Sequence, residues 1–179
     1  LRKIGHTVIK PSVALVPVKI KDEWVKKLSG LSLKNARLSI IYRGKKTKTA
    51  TGKMIFTHFG ISGPLVLNMS KFIGDEIAES ENSNAELSLD LLPGFDYAKI
   101  DSQILDIFSR NQNKKIKNSL DEIIPSAMIT SILELSKIPE DKQTNSITKE
   151  ERIRLGKLFK NIPMTANGLL DEDRAIVTS

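Results

Sequence analysis

The spacing of apolar residues changes period partway along this chain, and that change limits the fold more than any other feature. Ala85-Glu-Leu-Ser-Leu-Asp-Leu-Leu92 alternates, so Leu87, Leu89 and Leu91 share one face and Glu86, Ser88 and Asp90 the other, the pattern of a half-buried strand. From Pro93 onward the spacing becomes helical. Ile100, Ile104, Ile107 and Phe108 form one stripe of a helix that Asp96 caps and that runs to about Arg110. A second helix is expected over Lys115–Ile124, and Pro125 opens a third that reaches about Ile138. Thr148-Lys-Glu-Glu151 is a capping box that starts a last helix through Lys160. Strand-like runs return at Ile162–Thr165 and Arg174–Thr178, around the turn-prone pair Asn167-Gly168. Strands interrupted by a helical excursion predict an α+β fold. The expected architecture is a small β-barrel of about six strands, built from residues 1–92 and 161–179, with a helical subdomain at 93–160.

The strands before that excursion carry their own punctuation. Val13–Ile20 is β-branched, with Pro17 suiting an edge or a bulge. Asp22–Leu28 reads as a short helical turn ending at Gly30. Leu31–Tyr42 and Lys46–Thr57 form a hairpin about Arg43-Gly44-Lys45, and Gly52 suggests a bulge or bend. Thr57–Pro64 then reads as a strand-to-helix junction, with Ser62 as N-cap and Pro64 in the first turn. The helix would run to Ala78 with Leu65, Met69, Phe72 and Ile73 on one face.

Composition excludes several chemistries. The 179 residues contain no cysteine and two histidines, His6 and His58, so thiolate metal sites, disulfides and cysteine nucleophiles are absent and a histidine metal centre is not expected. No apolar run is long enough to cross a bilayer, and the N-terminal residues do not read as a signal peptide, so a cytoplasmic setting and no membrane partner are expected. The net charge of +7 is concentrated in Arg43–Lys48 and Arg110–Lys117. Both runs read as solvated surface, and no aromatic interleaves with them to stack on a base, so a nucleic-acid partner is not expected. A stand-alone anion- or nucleic-acid-binding barrel using those runs stays as the alternative, with a protein-docking helical module as a further one.

There is no GxGxxG fingerprint, Walker loop, GxSxG elbow or HExxH helix. The carboxylate clusters Asp75-Glu76 and Asp171-Glu172-Asp173 suit helix ends and turns better than acid–base work. The unusual segment is Lys53–Leu67. A turn at Gly60–Gly63 would present backbone N–H groups at a helix N-terminus, suited to an anion or a carbonyl oxygen. His58 stands beside it as a candidate proton-exchanging group. Two readings stay open: Thr57, His58 and Ser62 brace the turn, or they face a cavity.

Gly52-Lys-Met-Ile-Phe-Thr-His-Phe-Gly-Ile-Ser-Gly-Pro64 closely resembles the signature of the BaiN-like bacterial flavoproteins, also called aminoacetone-oxidase-like. Gly5–Pro17 is similar to the segment entering the insert (middle) domain of that family, and Ala175–Thr178 to the strand returning to its flavin domain. Together with Leu1 in place of a methionine and a last run of Arg174–Ser179, this leads to the expectation of a segment excised from a longer chain. The resemblance implies that FAD is held elsewhere in the parent protein and that this segment binds no cofactor. It implies an FAD-dependent oxidoreductase whose insert domain caps the active site, shapes substrate access and is not catalytic alone. Its partners would be the flavin-binding domain of the same chain and a small-molecule substrate. Thr57, His58, Phe59, Gly60, Ser62 and Gly63 are then the candidates for facing flavin or substrate.

Overall fold

The computed structural model describes residues 13–170 and 177–178. His6, most of the Gly5–Pro17 resemblance, Asp171–Asp173 and the start of the final run lie outside those residues.

Six antiparallel strands close into a barrel. They are β2 (Val18–Ile20), β3 (Ser32–Tyr42), β4 (Lys45–Thr57), β5 (Gly60–Ser62), β6 (Ala85–Asp90) and β7 (Ile162–Leu169), in the order β2-β5-β4-β3-β6-β7 with β7 returning to β2. The barrel expected from the sequence is therefore present, with helices beside it. β1 (Val13–Ala14) and β8 (Val177–Thr178) pair separately and antiparallel, Val13 opposite Thr178, so the incoming and outgoing chain run side by side.

The β3–β4 hairpin turns on Arg43 and Gly44, both at positive φ (48° and 74°), the two-residue geometry whose twist matches the flanking strands. One extra residue sits in β3 between Leu33 and Ala36, so the bulge lies across from Lys53, while Gly52 pairs with Ala36. The short helix α1 (Glu23–Lys27) is followed by Gly30 at φ 94°, whose N–H bonds Phe56 O at 2.9 Å. Gly30 thus permits the reversal into β3. Helix α2 (Pro64–Glu79) follows β5 and buries Leu65, Val66, Met69 and Ile73. Phe72, expected on the same face, is instead 41% exposed beneath Lys48, whose Nζ lies 4.1 Å from the ring centroid. The hairpin does not extend far enough over it to exclude water, and the cation covers the ring.

The helical part packs on the β6–β7 side. α3 (Tyr97–Arg110) is capped by Asp96, whose Oδ1 accepts from Lys99 N at 2.8 Å, and buries Ile100, Ile104, Ile107 and Phe108. Each such side chain contributes roughly 1.5–3 kcal/mol when removed from water. α4 (Ile129–Ser136) ends on Lys137 in the left-handed region, and α5 (Lys149–Lys160) begins with the capping box of Thr148 and Glu151. One continuous core joins barrel and helices, and Met54, Met69, Met128 and Met164 all fill it.

Four further expectations are corrected. No regular helix spans 115–124, where two 3-10 turns stand at Ile116–Asn118 and Leu120–Glu122. The start of that stretch bonds outward, Ile116 N donating to Lys142 O and Thr144 N to Lys114 O, so only short turns form between Lys115 and Ile124. Asn167-Gly168 makes no turn: β7 continues through it because Gly168 pairs with Lys19 of β2. Ser88 and Asp90 are buried, because α5 and the chain following it cover the outer face of β6. Ser62 lies within β5, and Gly63 takes the N-cap position of α2.

Candidate functional site

The segment singled out by sequence is a strand, a tight turn, a second strand and a helix in quick succession. β4 ends at Thr57, whose Oγ1 accepts from Gly60 N at 3.2 Å and closes the turn. Phe59 is half-buried and its carbonyl accepts from Ile20 N at 3.0 Å, which ties the turn to β2. His58 is exposed at the tip, edge-on to the Phe59 ring with centroids 5.0 Å apart. Among the described residues that ring contact is the one interaction His58 makes, so His58 does not brace the turn; Thr57 does.

Gly60 and Gly63 are required by close packing of backbone on backbone. A Cβ at Gly60 would stand 2.3 Å from Val18 O, and at Gly63 (φ 95°) it would stand 3.0 Å from Met54 Cα. No side chain caps α2, and its first turn holds no acidic residue, so the positive end of the helix dipole is left uncompensated. The two parts of the anticipated cluster are nevertheless apart. Gly60, Ile61 and Ser62 pair with Thr57, Phe56 and Ile55, and three strand residues rise ~10 Å, so β5 separates His58 from the helix N-terminus. The turn of free amides beside a histidine does not form.

A second concave site was not anticipated. At the junction of α3, α5 and β7 a cleft of about 370 Å³ is lined by Tyr97, Arg154, Lys157, Asn161 and Pro163 together with part of α4, and no carboxylate lines it. Tyr97 is 52% exposed, and its Oη accepts from Asn161 Nδ2 at 2.7 Å. Asn161 Oδ1 in turn accepts from Lys46 Nζ at 2.8 Å, which links the hairpin to the helices. Beyond Asn161 and Pro163 the depression continues along β6 and β7 toward Gly44 and Lys46, where Glu86 also lies. In sequence Tyr97 is spaced from Ile100 and Ile104 as one more member of the buried stripe. Its exposure follows from its place at the first position of the helix, and no local signal reveals its contact with Asn161, 64 residues away.

A closed barrel followed by a packed helical unit is a combination that a family model describes. The chain matches the HI0933-like protein barrel and H2TH domain over residues 12–177 and belongs to that family. This bears out the resemblance drawn from Gly52–Pro64 and its flanks. Among curated proteins it is similar to a 3-dehydro-bile acid delta(4,6)-reductase of Clostridium scindens, 28% identical over 144 residues covering 78% of this chain and 34% of the relative. It is similar also to a ribosomal RNA dihydrouridine synthase of Haemophilus influenzae, 25% identical over 168 residues covering 93% of this chain and 38% of the relative. The chain thus spans little more than a third of the length of these relatives.

Proposed function

We propose that this chain is the insert domain of an FAD-dependent oxidoreductase, with residues 1–92 and 161–179 as its barrel and 93–160 as its helical subdomain. In that role it caps the active site, controls what reaches it, and is inactive alone. The observation that carries the reading is the β1–β8 pair. A segment inserted into a host domain must leave and return at one place, and Val13 and Thr178 lie opposite each other. The share of the relatives covered supports it, as does the name of one of them, a reductase. The proposed setting is the bacterial cytoplasm, in keeping with the sources of both relatives and a cysteine-free chain. Among the described residues no helix is long and apolar enough to cross a membrane.

Among the described residues, the one glycine-flanked helix N-terminus does not fit FAD by itself. A pyrophosphate is cradled where glycines let it approach a helix N-terminus. Here Gly60 and Gly63 lie against the backbone of Val18 and Met54, with no space left for a ligand. The cofactor is therefore assigned to the rest of the parent protein. Of the strip Thr57, His58, Phe59, Gly60, Ser62 and Gly63, we propose that exposed His58 and its neighbours Thr57 and Phe59 face it or the substrate, with His58 polarising a substrate carbonyl, while Gly60, Ser62 and Gly63 set the path of the chain behind them.

A second reading concerns the substrate. Of the two relatives, one is named for a bile acid and the other for a base in ribosomal RNA. The basic runs by themselves give no reason to expect a nucleic-acid partner, but the name of the second relative together with the net charge of +7 leads us to favour RNA.

The test of the flavin reading is the visible absorbance of the whole protein containing this chain, purified without added cofactor, beside that of the 179 residues alone. Flavin bands in the former and none in the latter are expected. A colourless whole protein that FAD cannot reconstitute would remove the reading. A version with the barrel and helices replaced by a short Gly-Ser link should keep its flavin and lose turnover.

A further inference from the structure

We propose that a single-stranded RNA segment binds in the cleft between barrel and helices, with one base stacked on Tyr97 and its phosphates on Lys157, Arg154 and Lys46. The proposal rests on the RNA reading above and gives it a location. Sequence-tolerant binding of single strands needs an aromatic platform with cations along the backbone path. The fold assembles both from residues that the sequence scatters between positions 46 and 161.

Tyr97 supplies the platform. About half of its surface is open, yet its hydroxyl is held by Asn161, so the ring is already oriented and stacking on it costs little side-chain freedom. The cations have donors to spare. Lys157 is exposed and has no recorded partner among the described residues. Arg154 uses Nε on Ser136 O at 2.6 Å, which leaves the outer edge of its guanidinium for an anion. Lys46 gives one of its three N–H groups to Asn161. One carboxylate, Glu86, lines the Lys46 end of this path, and Asp101, beside Tyr97 and Lys157, is occupied by Arg152 at 2.7 Å. The length of the depression, from Lys157 past Asn161 to Lys46, suits an extended strand better than a compact ligand.

The basic loop Lys114–Lys117 is the competing surface, and it lacks an aromatic. The experiment is fluorescence anisotropy of this chain with a labelled oligouridylate of roughly 12 nucleotides, from about 50 to 200 mM salt. Three phosphate contacts predict a slope of about −2 in log affinity against log salt, reduced by about 0.7 in Lys157→Gln. Tyr97→Leu should weaken binding roughly tenfold or more, while Tyr97→Phe keeps the ring, loses only its tether to Asn161 and falls between Tyr97→Leu and wild type. Thermal melts accompany each variant. Should Tyr97→Leu fail to fold, Lys157→Gln, exposed and unpartnered, still decides. The proposal is overturned if Tyr97→Leu and Lys157→Gln bind like wild type while Lys114→Gln/Lys115→Gln/Lys117→Gln abolishes binding, which assigns the RNA to the loop. It is overturned equally if no binding occurs at the lowest salt. Neither result touches the flavin reading, which the absorbance spectrum tests separately.

Discussion

Lys160 Nζ lies 2.6 Å from Asp90 Oδ2, joining the last residue of α5 to the last residue of β6 in a place nearly closed to water. Asp90 Oδ1 accepts from Leu92 N at 2.9 Å, and Arg37 stands further off at 3.8 Å. Lys160 also donates to Leu92 O, so the ammonium serves both the barrel and the start of the helical part. Removing one member of such a pair leaves the other charge buried, at a cost of about 3–5 kcal/mol. Lys160→Met should therefore lower Tm by roughly 6–20 °C. Lys160→Met/Asp90→Asn should recover part of that loss. If the two single losses simply add in thermal melts, the pair is not coupled.

Gly60→Ala should be disproportionately damaging for so small a change. Its methyl would meet Val18 O at 2.3 Å and Ile20 N at 2.6 Å, so β2 and β5 would have to move apart. We expect a loss of about 3 kcal/mol or more, against roughly 1 kcal/mol for an unclashed exchange. Gly44→Ala, with nothing near its Cβ, is the comparison. Equal melting temperatures for the two variants would show that the close approach carries no stability.

The link between Lys142 and Glu151 sets an acid limit for the helical part. Hydrogen bonds from Lys142 hold the Glu151 carboxyl below its ordinary 4.5, and the backbone of Thr148 adds to this. The folded state thus releases this proton more readily than the unfolded one. Its contribution is fully present above the ordinary value and is lost as pH falls through the depressed one. Glu151→Gln should melt lower than wild type at neutral pH, and the gap should close in melts taken progressively below pH 4.5. A gap constant with pH would place the effect in the cap geometry alone.

Thr57 and His58 adjoin in sequence but should separate cleanly in experiment. Thr57→Val removes the acceptor for Gly60 N and should cost about 1 kcal/mol of stability. His58→Ala should leave Tm unchanged and lower turnover of the whole protein by ~10²-fold, the usual range for a proton-transferring group. Unchanged turnover with normal folding would end the proposed role of His58.

What was legible before the structure followed from local physics. The helical stripe of α3, the capping box at Thr148 and the hairpin turn at Arg43-Gly44 each depend on residues within a few positions of one another. The misreadings share a different cause. Asp90 and Ser88 look solvent-facing until Lys160 and Asn161 arrive from α5 and its end. Asn167-Gly168 looks like a turn until β2 pairs with it, and Gly60–Ser62 is too short to announce a strand. Tyr97 belongs to the same class: its chemistry depends on Asn161 and Lys46, and no window of sequence contains all three.

The length of β4 has a consequence for self-association. Its partner β5 is only three residues long, so among the described residues no strand pairs with the far side of β4 from Lys45 to Met54. An open strand edge is a template for another chain. Lys45, Lys46, Lys48 and Lys53 stand exposed along that stretch, and their mutual repulsion between copies opposes edge-to-edge growth. Part of the basic charge therefore opposes pairing between copies at this edge, and neutralising the hairpin lysines would weaken that opposition along with their hold on any anion.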